Sequence, residues 1–206
     1  LRLLYPSLVA LAILAVLTFF VGRMNRDLLR VRAYGEFLLR LAPALSTGVF
    51  VAGLPFVMEQ ATVDNYARVL LVYLGGAAVL TALMARSVAP EERRAGAAFR
   101  KGEYEKAAGL YEALISHRPL PRYYSALAAC LDASGRPESA LEAADRAIKL
   151  DPRLGIAYYN RASALAAVGE KARARGDLQT IFRVDSSRKL RRAAEDALDE
   201  LERDRT

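Results

Sequence analysis

Gly102-Glu-Tyr-Glu-Lys-Ala107 returns as Gly135-Arg-Pro-Glu-Ser-Ala140 and again as Gly169-Glu-Lys-Ala-Arg-Ala174. The glycines stand 33 and 34 residues apart, and the alanines five positions later keep the same spacing. A fixed period of this length marks stacked supersecondary units, each unable to bury its apolar face alone. Residues 121–134 carry Tyr124, Leu127, Ala128 and Leu131 at helical spacing, and 137–150 carry Ala140, Leu141, Ala144, Ile148 and Leu150. Each unit therefore reads as a helix pair, with Gly135 ending one helix and Pro137 suiting the first turn of the next.

Further columns align on the glycines. Pro119 and Pro152 close the first two units, with Ser186 in the third, and Ala98, Leu131 and Leu165 share a column. The second unit, with Tyr124, Leu127-Ala128, Leu131, Ala140, Ala144 and Pro152, resembles the tetratricopeptide repeat. The third matches through Tyr158, Ala162, Leu165, Ala174 and Leu178 but has Arg161 at the usual leucine. The first keeps Ala107, Tyr111 and Pro119 but has Glu91 and Arg94 at its start. The resemblance covers roughly residues 88–187, in three copies: 88–120, 121–154 and 155–187. In 188–206, Leu190, Ala194, Ala197, Leu198 and Leu201 stripe an otherwise charged helix, which suits a cap on an open stack better than a short coiled coil.

Residues 1–86 contain no lysine and three apolar runs. Leu3–Gly22 is uncharged over twenty residues, about 30 Å of helix and enough for a bilayer core. Leu41–Met58 is uncharged but holds Pro43, Gly48, Gly53 and Pro55, so it reads as a span or as a kinked or re-entrant segment. Val69–Ala85 extends back to Ala67 as a third span. The expected fold is all-α: a transmembrane anchor over 1–86 with spans at about 3–22, 41–58 and 67–85, then a right-handed α-solenoid of three helix pairs over 87–187, and a capping helix over 188–206.

Phe19-Phe20-Val21-Gly22 offers no small-x-small cleavage site, so the first run reads as an uncleaved anchor. Leu1 in place of methionine leaves open an upstream segment or an alternative start codon. Arg23, Arg26, Arg30, Arg32 and Arg40 crowd the first loop, and Arg86, Arg93 and Arg94 follow the third span. The positive-inside rule then puts the amino terminus outside and the repeats in the cytoplasm. Leu28, Leu29, Val31, Tyr34, Phe37 and Leu38 read either as an amphipathic helix on anionic lipid or as an extension of the second span. Gly75, Gly76, Ala78 and Ala82 make the third span small enough for close helix packing, against the chain's own spans or a partner membrane protein.

The net charge of +7 divides as +4 from 1–86 (8 arginines, 4 acids) and +3 from the remainder (22 basic, 19 acidic). No basic, aromatic platform for bases results, and nucleic acid is not expected as a partner. Arginine outnumbers lysine 25 to 5, which suits a GC-rich bacterial genome and hence an inner-membrane location. One cysteine, Cys130, and one histidine, His117, allow no internal disulfide, no catalytic triad and no zinc site in a single chain. No phosphate-binding or dinucleotide motif is present, so no catalytic residue, metal or cofactor is expected.

The repeat resemblance implies a groove lined by the first helix of each pair. Carried onto this chain, it consists of Arg93, Phe99 and Arg100, then Arg122, Ser125, Ala129 and Asp132, then Ile156, Tyr159, Asn160 and Ser163. Arginines, an amide and a tyrosine there suit an acidic or carboxylate-bearing peptide. The family's dicarboxylate clamp is matched only at Asn160, with Glu92 where a lysine is expected. The expected function is a membrane-anchored scaffold or assembly factor that holds a protein partner at the membrane. Its rivals are a fixed accessory subunit of a larger membrane complex and a lone enzyme or transporter. A reversed sidedness, resembling cytochrome-maturation factors, stays open beside them.

Overall fold

The computed structural model describes residues 12, 14–16, 18–23, 25, 28–29, 34–87, 90–185 and 187–203. All regular structure among them is helical. The chain divides into two compact units, Leu1–Pro90 and Glu91–Thr206.

In the first unit α1 spans Tyr34–Glu59 and α2 spans Tyr66–Ser87. Both are long and apolar enough to cross a bilayer, with mean hydropathy of 1.7 and 1.9 over their best windows. Three spans were expected; among the described residues two helices meet that length. The first run, 3–22, lies largely outside them, and its described portion is the shorter apolar stretch Leu14–Arg23. The second run is one continuous helix through Pro43 and Pro55, and it extends back to Tyr34, so 34–40 prolong it.

Polar contacts gather beside both prolines, although none of them replaces a bond the prolines remove. Each proline lacks the N–H that would bond the carbonyl four residues earlier. Ser46 Oγ and Thr47 Oγ1 both donate to the Pro43 carbonyl, at 2.8 and 2.9 Å. Near Pro55 the Tyr73 hydroxyl of α2 donates to the Phe50 carbonyl at 2.8 Å, and the two rings meet edge to face. Gly53 permits that approach, since a Cβ there would lie 2.7 Å from the Tyr73 hydroxyl. Ser46 and Thr81 hydroxyls, 3.3 Å apart, make a second polar link between α1 and α2. At Gly48 the Leu14 side chain lies where a Cβ would clash, at 2.8 Å.

The second unit begins with α3 (Pro90–Arg100) and α4 (Tyr104–His117), followed by α5 (Pro121–Ala133) and α6 (Pro137–Leu150). Then come α7 (Gly155–Ala167), α8 (Lys171–Val184) and α9 (Arg188–Arg203). Each helix pair turns on the quoted glycine. Gly102, Gly135 and Gly169 have φ of 79°, 76° and 84°, a left-handed conformation open to glycine at little cost. The residue after each donates back to the helix, as in Arg136 N to the Leu131 carbonyl at 2.9 Å and Glu170 N to Leu165 at 2.8 Å. That is the Schellman closure, and it satisfies carbonyls the helix end would leave bare.

The alanine columns are the floor of the stack. Ala107, Ala140 and Ala174 are fully buried, as are Ala95 and Ala128, with Ala162 at 2% exposure. No larger side chain would let the helix axes approach as closely there. Leu131 and Leu165 fill the space beside them. Helix α9 lays Ala194 and Leu201 into a cluster with Leu165, Leu178 and Ile181. Arg191 holds its start, donating to the Asp185 and Phe182 carbonyls at 2.8 and 2.7 Å at the end of α8.

Candidate protein-binding face

The first helices of the three pairs, α3, α5 and α7, are joined by polar links. Arg122 Nη2 on α5 lies 3.4 Å from Glu92 Oε2 on α3, and the Tyr123 hydroxyl donates to the same carboxylate oxygen at 3.1 Å. Asn160 Nδ2 on α7 donates to both the carbonyl and the hydroxyl of Ser125 on α5, at 2.7 and 3.0 Å. The Ser163 hydroxyl donates to Asp132 Oδ2 at 2.6 Å. Burial pushes the Tyr123 phenol up from its ordinary range, against the Arg122 hydrogen bond. Tyr111 beneath it is pushed up to about 12, chiefly by burial.

These links sort the residues expected to meet a partner. Ser125 and Asn160 are buried and bonded to each other, so they join repeats rather than face outward. Arg122 is one-fifth exposed and held by Glu92. Arg93, Arg100, Ile156 and Ser163 are exposed, while Phe99, Ala129, Asp132 and Tyr159 are partly so. Phe99 stacks edge to face on Tyr104 with ring centres 5.4 Å apart. Tyr159 and Ser163 line a cavity of about 230 Å3 bounded by Lys171 of α8 and by Ala197 and Glu200 of α9. Lys171 and Glu200 lie outside the set the resemblance implies, because α8 is the second helix of its pair and α9 belongs to no repeat; for α9 the amphipathic stripe was the available signal.

Arg161 explains the departure from the usual leucine. Its Nε and Nη2 each lie 2.7 Å from the Asp177 carboxylate on α8, and Nη1 lies 2.6 Å from Asp145 on α6. The guanidinium also sits over the Tyr158 ring at 5.7 Å. Hydrogen bonds that it donates to Asp177 and then Asp145 hold it firmly protonated against its burial. Cys130 is fully buried and its thiol is pushed up to about 11 by burial, the opposite of an activated nucleophile. No cluster of three or more His, Cys, Asp or Glu positioned for a metal occurs among the described residues.

In the first unit, Ala78 and Ala82 line an apolar groove of about 400 Å3 between α1 and α2, with Phe50, Leu54 and Tyr73. Gly75 and Gly76 do not contribute to it. A Cβ on either meets no described atom within 4 Å.

With the geometry in place, comparison with known proteins identifies the repeat. Residues 121–154 match the tetratricopeptide repeat. A TPR repeat-containing thioredoxin of Arabidopsis thaliana, TTL4, is 40% identical over 90 residues, which are 43% of this chain and 13% of that protein. The chain thus spans only a small part of that relative's length. Among solved structures, the translocator chaperone SycD of Yersinia enterocolitica type III secretion superposes with a TM-score of 0.53 at 20% identity, covering 56% of this chain and 92% of SycD. The first TPR domain of human RPAP3 gives 0.51 at 18% identity, covering 55% of this chain and 87% of that domain. SycD has also been solved with a peptide of the translocator YopD, and that structure superposes at 0.51 and 20% identity, covering 57% of this chain and 93% of SycD. The second unit has the fold of tetratricopeptide-repeat domains.

Proposed function

We propose that this chain is a membrane-anchored scaffold or assembly factor whose repeat unit binds a protein or peptide partner. The observation that carries the reading is the exposed remainder of the α3–α5–α7 face. The inter-repeat links hold it rigid, and it ends in the Tyr159–Ser163 cavity beside Lys171 and Glu200. A preformed, partly apolar surface with a few fixed polar groups suits a peptide. SycD with its YopD peptide, although it shares only the fold, is in keeping with this use. Arg93, Arg100 and Lys171 favour an acidic segment. A photo-cross-linking residue at Tyr159, in the full chain in native membranes, tests this. Capture of a partner that competes with an acidic peptide is the expected result, and capture only from positions on α2 overturns it.

The membrane half of the proposal rests on exposed apolar bulk. Leu38, Val49 and Phe56 on α1 and Leu71, Val72, Val79 and Leu83 on α2 are all more than half exposed. Apolar surface on that scale marks contact with lipid or another protein. Arginine placement favours a multi-pass inner-membrane protein of a bacterium, with the repeats cytoplasmic and the first loop on anionic lipid. A reporter at the carboxyl terminus that is active only outside the cytoplasm would reverse that orientation. The groove between α1 and α2 favours a second reading, an accessory subunit that meets a larger complex through its spans. Purification in mild detergent separates the two. A subunit stays at fixed stoichiometry, whereas a recruiter's partner exchanges with salt.

A further inference from the structure

Helix α9 buries its apolar stripe against α7 and α8, which leaves one face outward. Along that face run Arg188, Arg192, Glu195, Asp199 and Glu202, at intervals of four, three, four and three residues, and all five are exposed. At 3.6 residues per turn they fall within about 80° of arc, so they form one row nearly parallel to the helix axis. None of the five takes part in an ion pair among the described residues. The row changes sign once, from two cations to three anions. This order opposes the helix macrodipole, which favours acids in the first turn and bases in the last. Here the first turn has no acid, while acids dominate the second half. The row thus weakens its own helix without repayment from ion pairs among the described residues.

We propose that this row is a docking surface for a second copy of the chain, with the two α9 helices side by side and antiparallel. The sequence of signs is close to its own mirror opposite about Glu195. Reversing one copy places Arg188 opposite Glu202 of the other and Arg192 opposite Asp199, and the two-fold axis repeats both pairs. Seven residues separate Glu195 from Arg188 and from Glu202, so the ends stay in register. Parallel packing would set cation on cation and anion on anion. A two-fold contact of this kind is closed and isologous, and it yields a dimer rather than a filament. Charge pairs at an exposed surface set orientation and partner choice more than affinity, so the dimer is weak and salt-sensitive.

The test uses the full chain in mild detergent at about 0.01 M salt, where screening extends over about 30 Å. E195C puts one thiol at the axis, and wild type reports whether buried Cys130 contributes. Oxidised E195C is expected to run as a disulfide dimer while wild type does not. R188E/R192E in the E195C chain should lower the yield roughly tenfold by turning attraction into repulsion. Adding D199R/E202R should restore it, because the row is then inverted but still self-complementary. E195Q, which removes the like charges facing each other on the axis, should raise the dimer fraction of the unoxidised chain by mass measurement and needs no multiple substitution. Three results overturn the proposal: E195C remains monomeric, the first reversal leaves the yield unchanged, or E195Q lowers the dimer fraction. Binding of the row to an unrelated protein, with the chain itself monomeric, also overturns it.

Discussion

Arg161 occupies a position where the repeat pattern has leucine, and its ion pairs make a quantitative test of how the third repeat is held. Asp177 is one-tenth exposed and Arg161 about one-fifth, so water screens their bidentate contact little. D177N keeps the shape but offers the guanidinium an NH2 group where an acceptor was. Breaking a buried pair costs ~3–5 kcal/mol in general. Asp145 is more than half exposed and still partly neutralises Arg161, which places the expected loss nearer ~2–3 kcal/mol. R161L alone should lose a similar amount by leaving Asp177 buried without its cation. The double variant R161L/D177L should lie within ~1 kcal/mol of wild type, since apolar pairs often replace buried ion pairs at no cost. Thermal proteolysis of the full chain in mild detergent, scored on cleavage within 91–203, reads the cycle. Each single variant should lower the midpoint by roughly 10 °C, and the double should recover it. Single losses below ~0.5 kcal/mol, or a double variant as unstable as the sum of the singles, would refute the coupling.

Four other outcomes follow from particular contacts. Burial raises Cys130 from 9.0 to about 11 and Tyr111 from 10.0 to about 12, so the unfolded chain releases these protons first. Stability is then full below pH 9 and falls between pH 9 and 12, by up to about 1.4 kcal/mol per unit for each group. C130A should flatten the lower part of that decline in alkaline melts. G135A forces an L residue to a φ of 76° and should cost roughly 1–2 kcal/mol, read as a lower melting midpoint of the repeat unit. N160A strands the Ser125 pair inside the stack; about 1–2 kcal/mol of stability should disappear, by the same melts. G53A drives a methyl into the Tyr73 hydroxyl and should loosen α1 from α2 in a detergent-denaturation assay, with G53A/Y73F less affected than G53A.

The repeat unit was legible in the sequence because its determinants are local and periodic. A glycine at φ near 80° and an alanine beneath a crossing helix recur at each copy for the same steric reason. The face was less legible. Helical spacing puts Arg122, Ser125 and Ala129 together, but it cannot tell a side chain that faces outward from one that crosses to the next repeat. Ser125 and Asn160 lie on the expected side and are nevertheless consumed by each other. Glu92 was noted only as a departure from a lysine, and its bond to Tyr123 depends on a neighbour 31 residues away. In the first unit the prolines left a kinked or re-entrant segment open beside a full span, and α1 runs through both of them. Hydroxyls three and four residues beyond Pro43 and the tyrosine of another helix donate to carbonyls beside the prolines. Only the first two of those are visible from spacing along the chain.

The same comparison narrows where binding energy can arise. A partner carboxylate aimed at Arg122 must displace Glu92, which already shares its charge and also accepts from Tyr123. One aimed at Asn160 must break two inter-repeat hydrogen bonds inside the stack. Both routes exchange existing contacts for similar ones, so their net gain is small. The exposed Arg100 and the Tyr159 side of the cavity are not among the groups spent on these inter-repeat links. Substitutions at these positions should therefore change partner affinity more than stability. Those at Arg122, Ser125 and Asn160 should change stability first, and their effect on binding should follow from a loosened stack.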